Sequence, residues 1–63
     1  MENNIRDRRK KLSYSQESLA QKCHVSRQTI NAIENNKYDP TLGLAFSLAH
    51  CLNTTVDELF HKL

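Results

Sequence analysis

The chain has 63 residues, 38% of them apolar and 25% charged, with one Gly, one Pro and a net charge of +2. That length allows a single domain, residues 1–63, with a small core, so stability calls for compact helical packing or for a second copy. The composition excludes disordered, collagen-like and low-complexity chains. No apolar run approaches the roughly 18 residues of a membrane span, and the charged stretch Met1 to Leu12 is no secretory signal, which implies a cytoplasmic protein.

Apolar residues recur at intervals of three and four throughout, and no alternation of period two lasts long enough for a strand, so the chain reads as all-α with five short helices. The first spans Asn3 to about Leu12, with Ile5 and Leu12 on one side. Ser15 is an N-cap for Gln16 to Cys23, and Tyr14 before it can pack on Leu19 as a hydrophobic staple. Ser26 repeats the device for Arg27 to Asn35, with Val25 placed to staple Ile30. Only His24 and Val25, with the cap itself, separate these two helices, and so tight a connection forces the sharp crossing of a helix-turn-helix.

Asn36 suits the left-handed conformation that ends the third helix, and the residues up to Asp39 form a loop. Asp39-Pro40-Thr41 opens a fourth helix, with Pro40 near its first turn and either Asp39 or Thr41 as the cap. Its apolar residues, Leu42 through Leu52, leave only Gly43, Ser47 and His50 as a thin polar edge, so burial nearly all round is expected. Thr55 to Glu58 is a capping box, and Val56, Leu59, Phe60 and Leu63 form the apolar stripe of a last short helix.

Charge placement says more than the sum. Arg6, Arg8, Arg9, Lys10 and Lys11 crowd the first segment while Asp57 and Glu58 sit near the other end, so one end is basic and suits an anionic partner. At about 100° per residue, Ile30 and Ile33 point inward with Glu34 beside them, while Gln28, Asn31, Ala32 and Asn35 point outward and Arg27 sits at the exposed start. Amides can pair with adenine, Arg with guanine, and a small Ala admits a thymine methyl, so this face matches base edges in a major groove. A merely solvated polar face is the bland alternative. The tight turn before the helix, its exposed N–H groups and the basic flank favour DNA.

The stretch SQESLAQKCHVSRQTINAIENNKYDPTLGLAFSLAHCLNTTVDELF resembles the helix-turn-helix domain of the phage repressor and Cro-like family, often called the XRE family. The resemblance covers Ile5 to Phe60 and is carried by Ser15-Gln16, Leu19-Ala20, Val25-Ser26, Ile30, Ile33-Glu34, Pro40 and Leu52 through Phe60. It implies a five-helix, lambda-repressor-like fold and a homodimeric transcriptional repressor of bacterial or phage origin. It also implies base contacts from Arg27, Gln28, Asn31 and Ala32. Contacts to the DNA backbone are implied for Gln16, Thr29, Asn35, Lys37 and Thr41, with Gln16 also supporting the first residues of the reading helix. Arg9 and Glu34 match an ion pair between helices one and three. The chain departs from the family at His24 and Asn36, where Gly is common, although both tolerate positive φ. It departs again at Arg8, which replaces an apolar residue and could lie along the surface toward phosphate.

Leu44, Phe60 and Leu63 exceed what so small a core covers, which predicts a two-fold dimer through helices four and five. Its reading helices would lie about 34 Å apart on a pseudo-palindromic operator. The alternative is that Leu44 and Phe60 complete the monomer core. Catalysis finds no Gly-rich phosphate loop and no Ser/His/Asp constellation. Cys23-His24 and His50-Cys51 match no zinc spacing, and neighbouring helical residues diverge too far to converge on one ion. Cys23 and Cys51, both inside apolar patterns, read as small core hydrophobes rather than a disulfide. No cofactor, metal or small-molecule ligand is expected. A protein-binding adaptor or antitoxin built on the same fold is the rival to DNA binding.

Overall fold

Residues 1–61 are described by a computed structural model in which the elements run β1 (Glu2–Asn3), α1 (Ile5–Lys11), α2 (Gln16–Cys23), α3 (Arg27–Glu34), α4 (Leu42–Cys51), α5 (Val56–Leu59) and β2 (Phe60–His61). Hydroxyl caps set where four of the helices begin. Ser15, Ser26, Thr41 and Thr55 each accept the main-chain N–H three residues on, at 3.0, 3.1, 3.2 and 3.3 Å. Each cap contributes on the order of 1 kcal/mol by satisfying an N–H that the helix itself cannot. Thr41, not Asp39, therefore opens α4.

The ends of α1 to α4 are equally local. Ser13, His24, Asn36 and Asn53 take positive φ of 61°, 59°, 61° and 56°. After each, the next N–H folds back on the helix: Tyr14 to the Arg9 carbonyl, Val25 to Ala20, Lys37 to Ala32 and Thr54 to Ala49, at 2.9, 3.0, 2.9 and 2.9 Å. This closure satisfies carbonyls that would otherwise lack a partner, and it is built here without glycine. The short turns between helices follow from it.

Ile5, Leu19, Ile30, Ile33, Leu48, Leu52 and Leu59 are fully buried and form one core to which α1 through α5 all contribute, with Tyr14 and Val25 packed against it. The core clamps the inner face of α3 and leaves its outer face in solvent.

Several expectations are corrected. The first helix starts at Ile5 because Asn3 pairs with Phe60, and Glu2 with His61, in a two-residue antiparallel ribbon. Strands this short leave no alternation for a sequence to display. The same pairing stops the last helix at Leu59: Phe60 is extended, with φ −114° and ψ 139°, and the Leu59 carbonyl accepts the Asn4 N–H at 2.9 Å. In the capping box, Glu58 takes the Thr55 hydroxyl at 3.1 Å. The fourth helix is not buried nearly all round, because Leu42 and Phe46 are 70% and 60% exposed. These two stand one turn apart on the exposed side of the helix. Finally, the Arg8 guanidinium does not lie on the open surface but donates to the carbonyls of Leu52 and Asn53 at 3.1 and 2.9 Å, tying α1 to the end of α4.

Candidate nucleic-acid interface

The turn His24-Val25-Ser26 joins α2 to α3, and the Ser26 cap carries a further bond between its hydroxyl and that of Thr29, 2.9 Å. Ile30 and Ile33 face the core, so the remaining face of α3 is the one the fold can offer to a partner. Arg27, Gln28 and Asn31 are exposed there and Ala32 is half-buried. Thr29 is half-buried beside Ser26; Lys37 and Thr41 are exposed in the segment after α3, where Thr41 also caps α4. The arginine, two amides and small alanine thus share one helical surface.

The far end of α3 is held by a buried carboxylate. The Glu34 side chain is 0% exposed and faces an Arg9 that is 11% exposed. Arg9 donates through Nε to Oε2 at 2.8 Å and through Nη2 to Oε1 at 3.2 Å, while its Nη1 donates to the Tyr14 carbonyl at 2.9 Å. Gln16 adds its amide nitrogen to Oε1 at 3.1 Å and Arg6 its Nε at 3.4 Å. Burial pushes the Glu34 carboxyl up, but the hydrogen bonds from Arg9 and Gln16, the Arg9 charge and the Arg6 bond outweigh it and hold the group below the usual glutamate range. The carboxylate stays ionised and ties three segments together. Gln16 supports the last residue of α3, not its first residues.

Further restraints come from residues whose role the sequence did not disclose. The Asn3 amide nitrogen donates to the Ile33 carbonyl at 2.8 Å, so β1 holds the end of α3. Arg6 Nη2 donates to Asn35 Oδ1 at 3.0 Å, and the Asn35 amide nitrogen donates to the Asn31 carbonyl and to Asn31 Oδ1 at 2.9 and 3.2 Å. Asn35 thus aims its donors at its own helix. The available signal was spacing: Arg6 and Arg9, three apart, share a face of α1. With Arg8 and Arg9 engaged inside the molecule and Arg6 bonded to Glu34 and Asn35, the basic flank reduces to Lys10 and Lys11, both exposed.

Of the side chains expected at a dimer contact, Leu44 is half-buried against the core, Phe60 is 8% exposed, and Leu63 lies outside the described residues. Among the described residues the exposed large apolar side chains are instead Leu42 and Phe46, with Met1 and Tyr38 about half exposed. Beside them lies a groove of about 280 Å³ lined by Met1, Asp39, Pro40, Leu42, Ala45 and Phe60. Cys23 and Cys51 are free thiols, and burial, then the adjoining Cys51 thiol, push Cys23 up to about 11. Among the described residues no three of His, Cys, Asp and Glu gather as metal ligands, and no helix is long and apolar enough to cross a membrane.

The sequence profile of the helix-turn-helix family matches residues 5–59. The chain belongs to the helix-turn-helix family. This helix-turn-helix chain is 45% identical over 60 residues to an uncharacterized HTH-type transcriptional regulator of Methanocaldococcus jannaschii, covering 95% of the chain and 91% of that protein. It superposes on the solution structure of the DNA-binding domain of the P22 c2 repressor with a TM-score of 0.80 at 32% identity, over 84% of the chain and 70% of that domain. The phage-repressor resemblance therefore holds at the level of the fold. A likeness of TM-score 0.81 at 28% identity also joins 90% of the chain to 30% of hydroxypropylphosphonic acid epoxidase from S. wedmorenis. Since the same helix-turn-helix fold occurs within a longer enzyme chain, function rests on the site and not on the fold.

Proposed function

We propose that the chain is a sequence-specific, double-stranded DNA-binding transcriptional regulator, acting as a homodimeric repressor that occupies a pseudo-palindromic operator in a bacterial or phage-infected cytoplasm. The observation that carries this reading is the outer face of α3, where Arg27, Gln28 and Asn31 stand exposed on a helix whose inner face is locked into the core. Base edges in a major groove present the donors and acceptors these groups need. Thr29, Lys37 and Thr41, with Gln16 at the start of α2, flank that face and supply backbone contacts. Ala32 allows close approach. The reading invokes no catalytic step, cofactor, metal or small-molecule ligand.

Dimerisation enters through α4. Leu42 and Phe46 form an exposed apolar pair next to a groove that Phe60 helps to line, while Leu44 packs against the core. Such a patch on a small domain favours contact with a second copy. Sedimentation at micromolar concentration should give a dimer, and Phe46→Asp a folded monomer that binds the operator weakly; a wild-type monomer refutes this part.

Salt titration of binding tests the main claim. A complex neutralising about six phosphates should lose about a thousandfold in affinity between 50 and 200 mM salt. A flat response would point to a protein-binding adaptor instead.

A further inference from the structure

On the reading face the Asn31 side chain does not rotate independently. Arg6 is anchored by its Nε on the Glu34 carboxylate, 3.4 Å, and directs Nη2 at Asn35 Oδ1, 3.0 Å. A guanidinium has donors and no acceptor, so the atom it meets on Asn35 must be the oxygen. The Asn35 nitrogen is thereby turned to α3, where it meets the Asn31 carbonyl at 2.9 Å, an acceptor that fixes the same orientation independently. It also meets the Asn31 side chain at 3.2 Å. A donor there requires the Asn31 oxygen, so the orientation passes from Glu34 through Arg6 and Asn35 to Asn31. The amide nitrogen of Asn31 makes no hydrogen bond among the described residues and sits on an exposed residue.

We propose that Arg6 and Asn35 are positioning residues that hold the Asn31 amide with its nitrogen outward, so that this position of the reading face selects guanine and not adenine. The inference rests on the DNA reading above and gives it a base preference. An unrestrained Asn presents one donor and one acceptor and pairs with adenine N6 and N7. With its oxygen held by Asn35, Asn31 offers two hydrogens, which match guanine O6 and N7, both acceptors. Adenine would bring its N6 amino group against the Asn31 amino group, donor to donor. Asn35, expected at the phosphates, acts instead through Asn31.

Selection from random duplexes with the purified full chain tests the relay. The base position governed by Asn31 is the one whose preference disappears in Asn31→Ala. There the wild type should favour guanine over adenine by about fivefold, the equivalent of one net hydrogen bond. Asn35→Ala frees the amide and should bring the two bases to near parity while leaving the other positions of the site unchanged. Asn35→Asp reverses the relay, because a carboxylate accepts from the Asn31 nitrogen and turns its oxygen outward; adenine should then be preferred. Arg6→Ala, which leaves Glu34 its Arg9 and Gln16 partners and is checked for folding by circular dichroism, should relax the same position alone.

Adenine at that position in the wild type, an Asn31→Ala variant that relaxes no position, or an unchanged guanine preference in both Asn35 variants overturns the relay while DNA binding stands. A wild type that enriches no sequence overturns the DNA reading itself.

Discussion

Glu34→Ala removes the acceptor on which Arg9, Gln16 and Arg6 converge. Arg6 is about half exposed and can return to water, but Arg9 is buried and would be left with a desolvated guanidinium and only the Tyr14 carbonyl. Breaking a buried pair from one side costs about 3–5 kcal/mol. A chain of this length has about 3–9 kcal/mol in total, so the variant should be close to its unfolding midpoint at 25 °C. Urea melts followed by circular dichroism at one fixed protein concentration measure the loss, since association would otherwise add to it. Replacing both partners, Arg9→Met with Glu34→Leu, should recover most of it, because no charge is then left stranded. The reasoning is refuted if Glu34→Ala costs under about 1 kcal/mol, or if the double variant is no more stable than the single one. Acid gives an independent reading. The folded-state pKa of Glu34 is depressed, so its stabilisation is fully present above the ordinary value of 4.5 and is lost as pH falls through the folded value; the double variant lacks that component of acid sensitivity.

Gly43 lies in α4 with nothing within 4 Å of the position its Cβ would take, so Gly43→Ala should stabilise by about 0.5–1 kcal/mol in the same melts. His24 holds φ at 59°, so His24→Gly should relieve strain that exceeds glycine's added unfolded-state entropy and stabilise by about 0.5–1 kcal/mol. Gln28→Ala should weaken the preferred duplex by about 1–3 kcal/mol and spare random DNA, whereas Lys37→Ala should weaken both alike and reduce the salt slope by about one. Cys23 is buried and its thiol is pushed up to about 11, so at pH 8 it should react with a disulfide reagent far more slowly than a free cysteine; prompt reaction in the native protein would contradict its burial.

Much of the fold was legible because its signals are local. The bounds of α2, its Ser15 cap, the Ser26 cap and the inward placing of Ile30 and Ile33 depend on residues within one or two turns of each other. A hydroxyl before an apolar repeat meets the same orphan N–H groups in any helix. The outward face of α3 follows from the same periodicity, once Ile30 and Ile33 are assigned to the core. The left-handed ends at Ser13 and Asn53 escaped because neither stands where glycine would announce it.

What the sequence by itself determined, then, was where helices start, how they turn, and which side of α3 could be offered to a groove. The tertiary structure alone decided which partner each versatile group received. It sent Arg8 to the Leu52 carbonyl 44 residues away, Asn3 to Ile33 and Phe60 into a ribbon, left Leu42 and Phe46 outside, and turned the Asn31 amide through Arg6 and Asn35. Caps and periodicity act over a few residues, where the backbone fixes the geometry in advance. A guanidinium or an amide can bond equally well to many acceptors, and only the packing of distant segments brings one of them within reach.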